Sequence, residues 1–195
     1  MASIHTSPSK KALTPIAQMY YIIKEKEADM PIQFNMNKQR AIEAVLWVIQ
    51  NGESDMYRIW KILFSAEKYH LNKYGCPITG DQYLAMEYGT VPRWLYDETK
   101  TENRDLSFLK QDNSLIADRK PIMDYLSQSH IEALKHGFDE YAGLDFNIVK
   151  EKNHREPSWI KNYVSNKRTP IPFEDIIEED WLKEDLSIMS SYMVV

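Results

Sequence analysis

The sequence lacks the features that mark disulfide-bonded, membrane-spanning and secreted proteins. Its single cysteine, Cys76, cannot form an internal disulfide or a site with several thiolate ligands. No apolar run approaches the roughly 18 residues that a membrane-spanning helix requires. The positive charges near the amino terminus are not followed by the apolar core of a secretion signal. We therefore expect a protein of the cytoplasm whose folding does not depend on oxidation.

Patterns typical of metal, phosphate and catalytic sites are also missing. The histidines include no i, i+4 pair, and the glycine spacing fits no phosphate-binding loop. We expect no metal, no cofactor and no enzymatic activity. One enzymatic alternative stays open, a hydrolase with Cys76 as nucleophile and His70 as base, because His70 precedes Cys76 by six positions. The sequence offers neither a third residue to orient this histidine nor an oxyanion turn.

The charge balance argues against nucleic acid as the main partner. The chain has 24 Lys and Arg against 29 Asp and Glu, a formal net charge of -5, whereas proteins that bind phosphate backbones carry basic surfaces. Helices followed by a hairpin could form a winged-helix DNA-binding domain, but the predicted helix that ends at Gly75 carries mainly aromatics instead of exposed DNA-contacting side chains. A DNA-binding autoregulator remains an alternative.

The residues that are present predict a mainly α protein, a compact helical domain with a small β-hairpin or short antiparallel sheet. A helix capped by Asn37 should end at Gly52, and its nearly continuous apolar surface indicates the central helix. The next helix should begin at Ser54 or Asp55 and end at Gly75. Its periodicity places three charged side chains on the solvent side, Lys61, Glu67 and Lys68.

Shorter elements follow the glycine stop. We predict a strand at 83–88 and, between 106 and 117, a β-hairpin with a polar turn. Further helices should begin in the regions of Pro92, Ser127, Asp145 and Phe173. Asp81 is expected to cap the Thr79–Gly80 turn with its own side chain.

Four stretches occur in order within Lys61–Asp97, which we call the signature segment: AEKYHLNKYG at 66–75, PITGD at 77–81, YLAMEYG at 83–89 and VPRWLYD at 91–97. Together they resemble the Panacea domain of the SocA-like antitoxin family of bacteria and phages. Weaker similarity extends the resemblance to about 36–165. Two positions depart from the usual pattern: Thr90 replaces a proline, and Cys76 stands where arginine is frequent.

The resemblance and the residue pattern of the unmatched ends together predict four parts in the chain. These are a flexible tail at 1–15, a helical extension at 16–35, a Panacea-like domain at 36–165 and an acidic amphipathic helical extension at 166–195. The family implies a non-enzymatic antitoxin of a type II toxin–antitoxin pair, encoded beside its toxin and blocking it by direct contact. Toxins paired with this family include small alarmone-synthetase-like enzymes that act on tRNA or nucleotides.

A SocA-type antitoxin implies a different mechanism, in which an adaptor delivers the toxin to a protease. For direct binding, the signature segment supplies the candidate contacts, since aromatic side chains with polar tips are enriched at interfaces. The predicted toxin interface consists of Tyr69, Tyr74, Thr79, Asp81, Tyr83, Tyr88, Arg93, Trp94 and Tyr96.

Overall fold

The computed structural model describes residue 14, residues 31–101 and residues 106–193, and within these it is mainly helical with two small antiparallel sheets. This confirms the predicted fold class. The predicted tail at 1–15 and the helix of the 16–35 extension lie almost entirely outside the described residues.

The described helices are α1 (Lys38–Gln50), α2 (Met56–Tyr74), α3 (Arg93–Glu98), α4 (Gln128–Tyr141), α5 (Phe146–Asn153), α6 (Pro157–Asn162), α7 (Phe173–Ile176) and α8 (Asp180–Met193). A 3-10 turn at Met123–Tyr125 precedes α4.

The strands are β1 (Tyr83–Met86), β2 (Gly89–Pro92), β3 (Phe108–Gln111), β4 (Ser114–Ala117) and β5 (Thr169–Pro170). β1 lies between β2 and β5 in one sheet, with Leu84 opposite both Val91 and Pro170. β3 and β4 form the predicted second hairpin, in which Phe108 pairs with Ala117.

Side-chain caps begin the long helices where the sequence indicates. Asn37 accepts a hydrogen bond from the Arg40 N–H at 2.9 Å, which starts α1. Asp55 and Ser127 make the same kind of contact at the starts of α2 and α4. Gly75 ends α2 with φ of 70°, a left-handed conformation that glycine adopts without steric cost.

The most central helix is α2, in place of the predicted α1. Buried side chains of α2 contribute to two hydrophobic clusters, with Ile62 in the first and Phe64 in the second, whereas those of α1 contribute to the first. α2 also packs closely on α4, because a Cβ at Gly137 would lie 2.3 Å from the carbonyl oxygen of Ile62. Glycine is therefore required at this helix crossing.

Three local predictions were wrong. The strand expected at 83–88 ends at Met86, and Gly89 begins the paired strand β2. The helix expected from Phe173 is two helices, because α7 ends at Ile176 and α8 begins at Asp180. Lys61 and Glu67 lie inside the protein instead of on the solvent side of α2.

Candidate protein interface

Glu67 holds the turn that follows α2. This buried carboxylate accepts hydrogen bonds from the backbone N–H groups of Ile78, Thr79 and Gly80, at 2.8 to 3.1 Å, and from the Thr79 hydroxyl. Burial raises the pKa of Glu67 to about 7, while these hydrogen bonds act in the opposite direction. Gly80 has φ of 70°, and a Cβ there would lie 2.8 Å from the Asn35 carbonyl oxygen. The PITG stretch is thus fixed by one buried side chain.

Asp81 caps α3 from a distance, which corrects the prediction that it caps its own turn. Its carboxylate accepts hydrogen bonds from the N–H groups of Trp94, at 3.0 and 3.1 Å, and Leu95, at 3.3 Å. Pro92 occupies the N-cap position and has no side-chain acceptor, so Asp81 takes that role. The turn itself is closed by the Thr79 hydroxyl, which accepts from the Asp81 N–H. Burial raises the pKa of Asp81 to about 6.

Lys61, Thr90 and Asn153 form a second buried network. The Lys61 ammonium donates to the Thr90 carbonyl oxygen at 2.6 Å, and the Thr90 N–H donates to Asn153 Oδ1 at 2.7 Å. The Asn153 amide donates in turn to the Thr90 hydroxyl at 3.1 Å. Burial lowers the pKa of Lys61 to about 7. The role of Asn153 could not be predicted from the sequence, because its hydrogen-bond partner lies 63 positions earlier in the chain.

Three of the predicted interface residues therefore lie inside the protein. Thr79, Asp81 and Tyr83 are each less than 5% exposed. The ring of Tyr83 packs edge-on against Phe64 at 5.1 Å. Their contacts maintain the fold, and a partner protein would find almost no surface on them.

The exposed Tyr74 and the half-buried Tyr69 form a surface cluster around Glu132 on α4. Their hydroxyls donate to the two carboxylate oxygens of Glu132 at 2.6 and 2.7 Å, and Lys73 forms an ion pair with the same carboxylate. The hydrogen bonds, that of Lys73 first, lower the pKa of Glu132 to about 2. The Tyr69 ring stacks on His136 at 4.4 Å. The aromatic rings are thereby held in defined orientations at the surface.

A polar groove of about 400 Å³ lies beside this cluster. Lys68 forms ion pairs in it with Glu156 and Glu178, each at 2.9 Å. Glu140 also lines the groove and accepts a hydrogen bond from Ser65. Because these charged side chains pair with one another, none of them is free to bind an ionic ligand in the groove. The edge of the groove can still contact another protein.

Tyr88 forms a separate exposed site at the β1–β2 turn, with half of its surface accessible. Its backbone carbonyl accepts a hydrogen bond from the Tyr57 hydroxyl at 2.9 Å. The exposed ring of Phe146 lies 4.8 Å from that of Tyr57 and 6.0 Å from that of Tyr88. Lys150 lies over the Tyr88 ring at 5.3 Å. This group presents a small aromatic surface.

The three remaining predicted contacts lie on α3. Arg93 is exposed and donates to the Gln82 side chain at 3.1 Å. Trp94 and Tyr96 are half-buried. The Tyr96 ring has the Lys100 ammonium 3.7 Å from its centroid and the Arg168 guanidinium at 5.4 Å, contacts of the cation–π kind.

Cys76 and His70 are brought together by the fold but do not form an activated nucleophile. Cys76 Sγ lies 3.9 Å from His70 Nδ1, yet this nitrogen lies 2.6 Å from the Cys76 carbonyl oxygen. Such a bond requires a proton on Nδ1, so that nitrogen cannot accept the thiol proton. Burial also raises the pKa of the thiol and lowers that of the imidazole. The geometry does not favour the hydrolase alternative.

Among the described residues, no helix combines the length and apolar character needed to cross a membrane. No group of three or more His, Cys, Asp or Glu in the same part of the chain is placed to hold a metal ion.

A family model described as antitoxin SocA-like, Panacea domain, matches residues 59–160. The match covers just over half of the 195 residues and includes both buried networks. No curated protein and no solved structure matches the chain.

Proposed function

Since the chain belongs to the SocA-like antitoxin family with a Panacea domain, we propose that it is the antitoxin of a type II toxin–antitoxin pair. In this proposal it works in the cytoplasm and inhibits its toxin by direct protein contact. The toxin is expected to be encoded by an adjacent gene and to belong to the small alarmone-synthetase-like enzymes that act on tRNA or nucleotides. The family match carries the proposal.

The use of the polar residues supports a binding role over a catalytic one. Backbone groups of the signature segment are the hydrogen-bond partners of Glu67, Asp81 and Lys61. An active site keeps some polar groups available for a substrate, often in a cleft. Here the buried groups instead stabilise a rigid scaffold for surface contacts.

The exposed aromatic side chains support direct contact. Tyr74 and Tyr88 are 42% and 51% exposed, and both rings are oriented by neighbouring charged groups. A stable interface buries about 1,600 Å² in total and is anchored by aromatic side chains. We therefore retain the surface members of the predicted interface, Tyr69, Tyr74, Tyr88, Arg93, Trp94 and Tyr96, as the proposed contacts within the family-matched region.

Co-expression with the adjacent gene tests the proposal. We expect the neighbouring product alone to stop growth, and co-expression of this protein to restore growth and yield a co-purifying complex. Adding the purified protein to the purified toxin should inhibit the toxin in a reaction that contains no protease. Growth rescue that depends on a cellular protease, without inhibition in the purified reaction, would show the adaptor mechanism instead. A neighbouring product that neither harms cells nor binds this protein would contradict the antitoxin proposal.

A further inference from the structure

The negative charge of this protein is concentrated at residues 173–189, which we call the acidic C-terminal segment. This segment contains seven carboxylate side chains and one lysine, Lys183, so its formal charge is -6. The whole chain has a formal charge of -5 and no charged side chain after residue 189. The residues before the segment therefore sum to +1. The acidity is therefore densest in this segment, because the family-matched residues 59–160, a stretch six times longer, carry 13 Lys and Arg against 16 Asp and Glu, a formal charge of -3.

Helix α8 of this segment has one face in the core and another in solvent. Leu182 and Leu186 are buried in the second hydrophobic cluster. Trp181 is 60% exposed and Met189 is 55% exposed. Trp181, Asp185 and Met189 follow the i, i+4, i+8 spacing that aligns side chains along one side of a helix. The outer face of α8 therefore carries two large apolar side chains with acidic residues between them.

The carboxylates on this face are available. Among the described residues, Glu184 and Asp185 of α8 form no ion pair, nor does Glu179, which directly precedes the helix; Lys183 pairs with Asp180 at 3.3 Å. The residues just before α8 are fixed to α2, because the Glu178 N–H donates to Asn72 Oδ1 at 2.7 Å. The helix is thus held by its inner face while its outer face keeps its charges free.

We propose that the outer face of α8 docks in a basic groove of the toxin, with Trp181 and Met189 against apolar parts of its floor, Asp185 against a cationic group between them and Glu184 against its cationic rim. This inference rests on the proposed antitoxin function. Amphipathic helices bind grooves through anchors with this spacing, and exposed tryptophan is a frequent energetic centre of interfaces. A groove that binds the phosphates of a nucleotide or of RNA has the complementary charge.

A second copy of this chain fits the same face poorly. Two such segments would bring together charges of -6 each, and like charges across an interface are unfavourable. The position of α8 outside the matched residues 59–160 also fits a contact that differs between family members with different toxins.

Binding to the purified product of the adjacent toxin gene tests the inference. Trp181→Ala should weaken binding about 30-fold, the effect of losing an interface hot spot. The triple variant Glu179→Gln, Glu184→Gln, Asp185→Asn should weaken it about 10-fold at 50 mM salt and reduce the dependence of affinity on salt. Melting temperatures should stay unchanged because these side chains are exposed.

Matched controls lie elsewhere on the surface. Ile160→Ala removes an apolar side chain that is also 60% exposed. Neutralising the exposed Asp112, Asp118 and Asp124 to asparagine changes the charge by the same amount as the triple variant. Both controls should bind the toxin within twofold of wild type.

The outcomes separate this inference from the proposed function. If the wild-type protein does not bind the toxin, the antitoxin proposal fails and this inference with it. If wild type binds and the Trp181 and triple variants bind equally well, only the α8 surface is wrong. If sedimentation shows a dimer that dissociates in the Trp181→Ala variant, the occupant is a second copy and the inference is overturned.

Discussion

The signature segment and the acidic C-terminal segment use their charged residues in opposite ways. Lys61, Glu67 and Asp81 of the first are buried and hydrogen-bonded to backbone groups. Glu184 and Asp185 of the second are exposed and, among the described residues, form no ion pair. A buried polar group is costly unless its partners are in place, so the first set specifies one backbone arrangement. Exposed charges carry no such requirement and can vary with the partner.

Among the charged residues of the two segments, the largest effect should come from Glu67→Gln. The new amide group would face backbone N–H groups with donors of its own, so we expect a loss of about 3 kcal/mol in the free energy of unfolding. Urea denaturation at pH 7 measures this loss. Glu151→Gln, an exposed change on α5, should alter stability by less than about 0.5 kcal/mol. Equal stabilities of the two variants would show that Glu67 is not the support of the turn.

Asp81→Ala should cost about 2 kcal/mol, the upper range for losing a helix cap. The effect should be local as well as global, because α3 has no side-chain acceptor at its own N-cap. Hydrogen exchange should show reduced protection of the Trp94 amide. Asp81→Asn keeps one acceptor oxygen and should retain part of the stability. If Trp94 protection is unchanged in Asp81→Ala, the cap is not needed for α3.

Lys61→Met should change the pH dependence of stability. Burial lowers the pKa of Lys61 from 10.5 to about 7, so the unfolded chain takes up a proton between these values and wild-type stability rises with pH there. The stability that wild type gains from having Lys61 neutral is fully present above pH 10.5 and is lost as the pH falls towards 7. Between pH 7 and pH 9, we expect the free energy of unfolding of wild type to rise by about 2 kcal/mol relative to that of Lys61→Met.

Urea denaturation at both pH values measures the gain. Lys135→Met on the exposed side of α4 should show no such pH dependence. A constant difference between wild type and Lys61→Met would mean that Lys61 stays charged in the folded protein.

The smallest stability effect should come from Trp181→Ala, at less than about 0.5 kcal/mol, because the side chain is exposed. Trp159 provides the contrast, since it is buried and donates to the Met86 carbonyl oxygen at 2.9 Å. Trp159→Ala should cost about 3 kcal/mol. Thermal unfolding of both variants measures the difference. A large loss in Trp181→Ala would show that α8 needs this residue for packing and would remove the contrast between the two segments.

Elements with local signals could be predicted from the sequence. Helix caps and glycine stops act within one helical turn, so they indicate the ends of α1, α2 and α4 directly. The residues concerned are Asn37, Asp55, Ser127 and Gly75. The β3–β4 hairpin follows from its polar turn in the same way. These features depend on neighbours along the chain and not on tertiary contacts.

The positions of the charged residues could not be predicted in this way. Periodicity places Lys61 and Glu67 on the solvent side of an isolated helix, but the β1–β2 hairpin and the PITG turn return to cover both side chains. The break between α7 and α8 likewise depends on Asn72, whose side chain contacts Ile176 and Glu178 from another helix. Each of these outcomes depends on groups brought together by the tertiary fold.

The hydrogen bonds of Thr90 restrict which residues can replace it beside Asn153. A proline at position 90 has no N–H and no hydroxyl, so the fully buried Asn153 amide would lose both of its hydrogen bonds to residue 90. Thr90→Pro would therefore lower stability unless a compensating change were made at position 153.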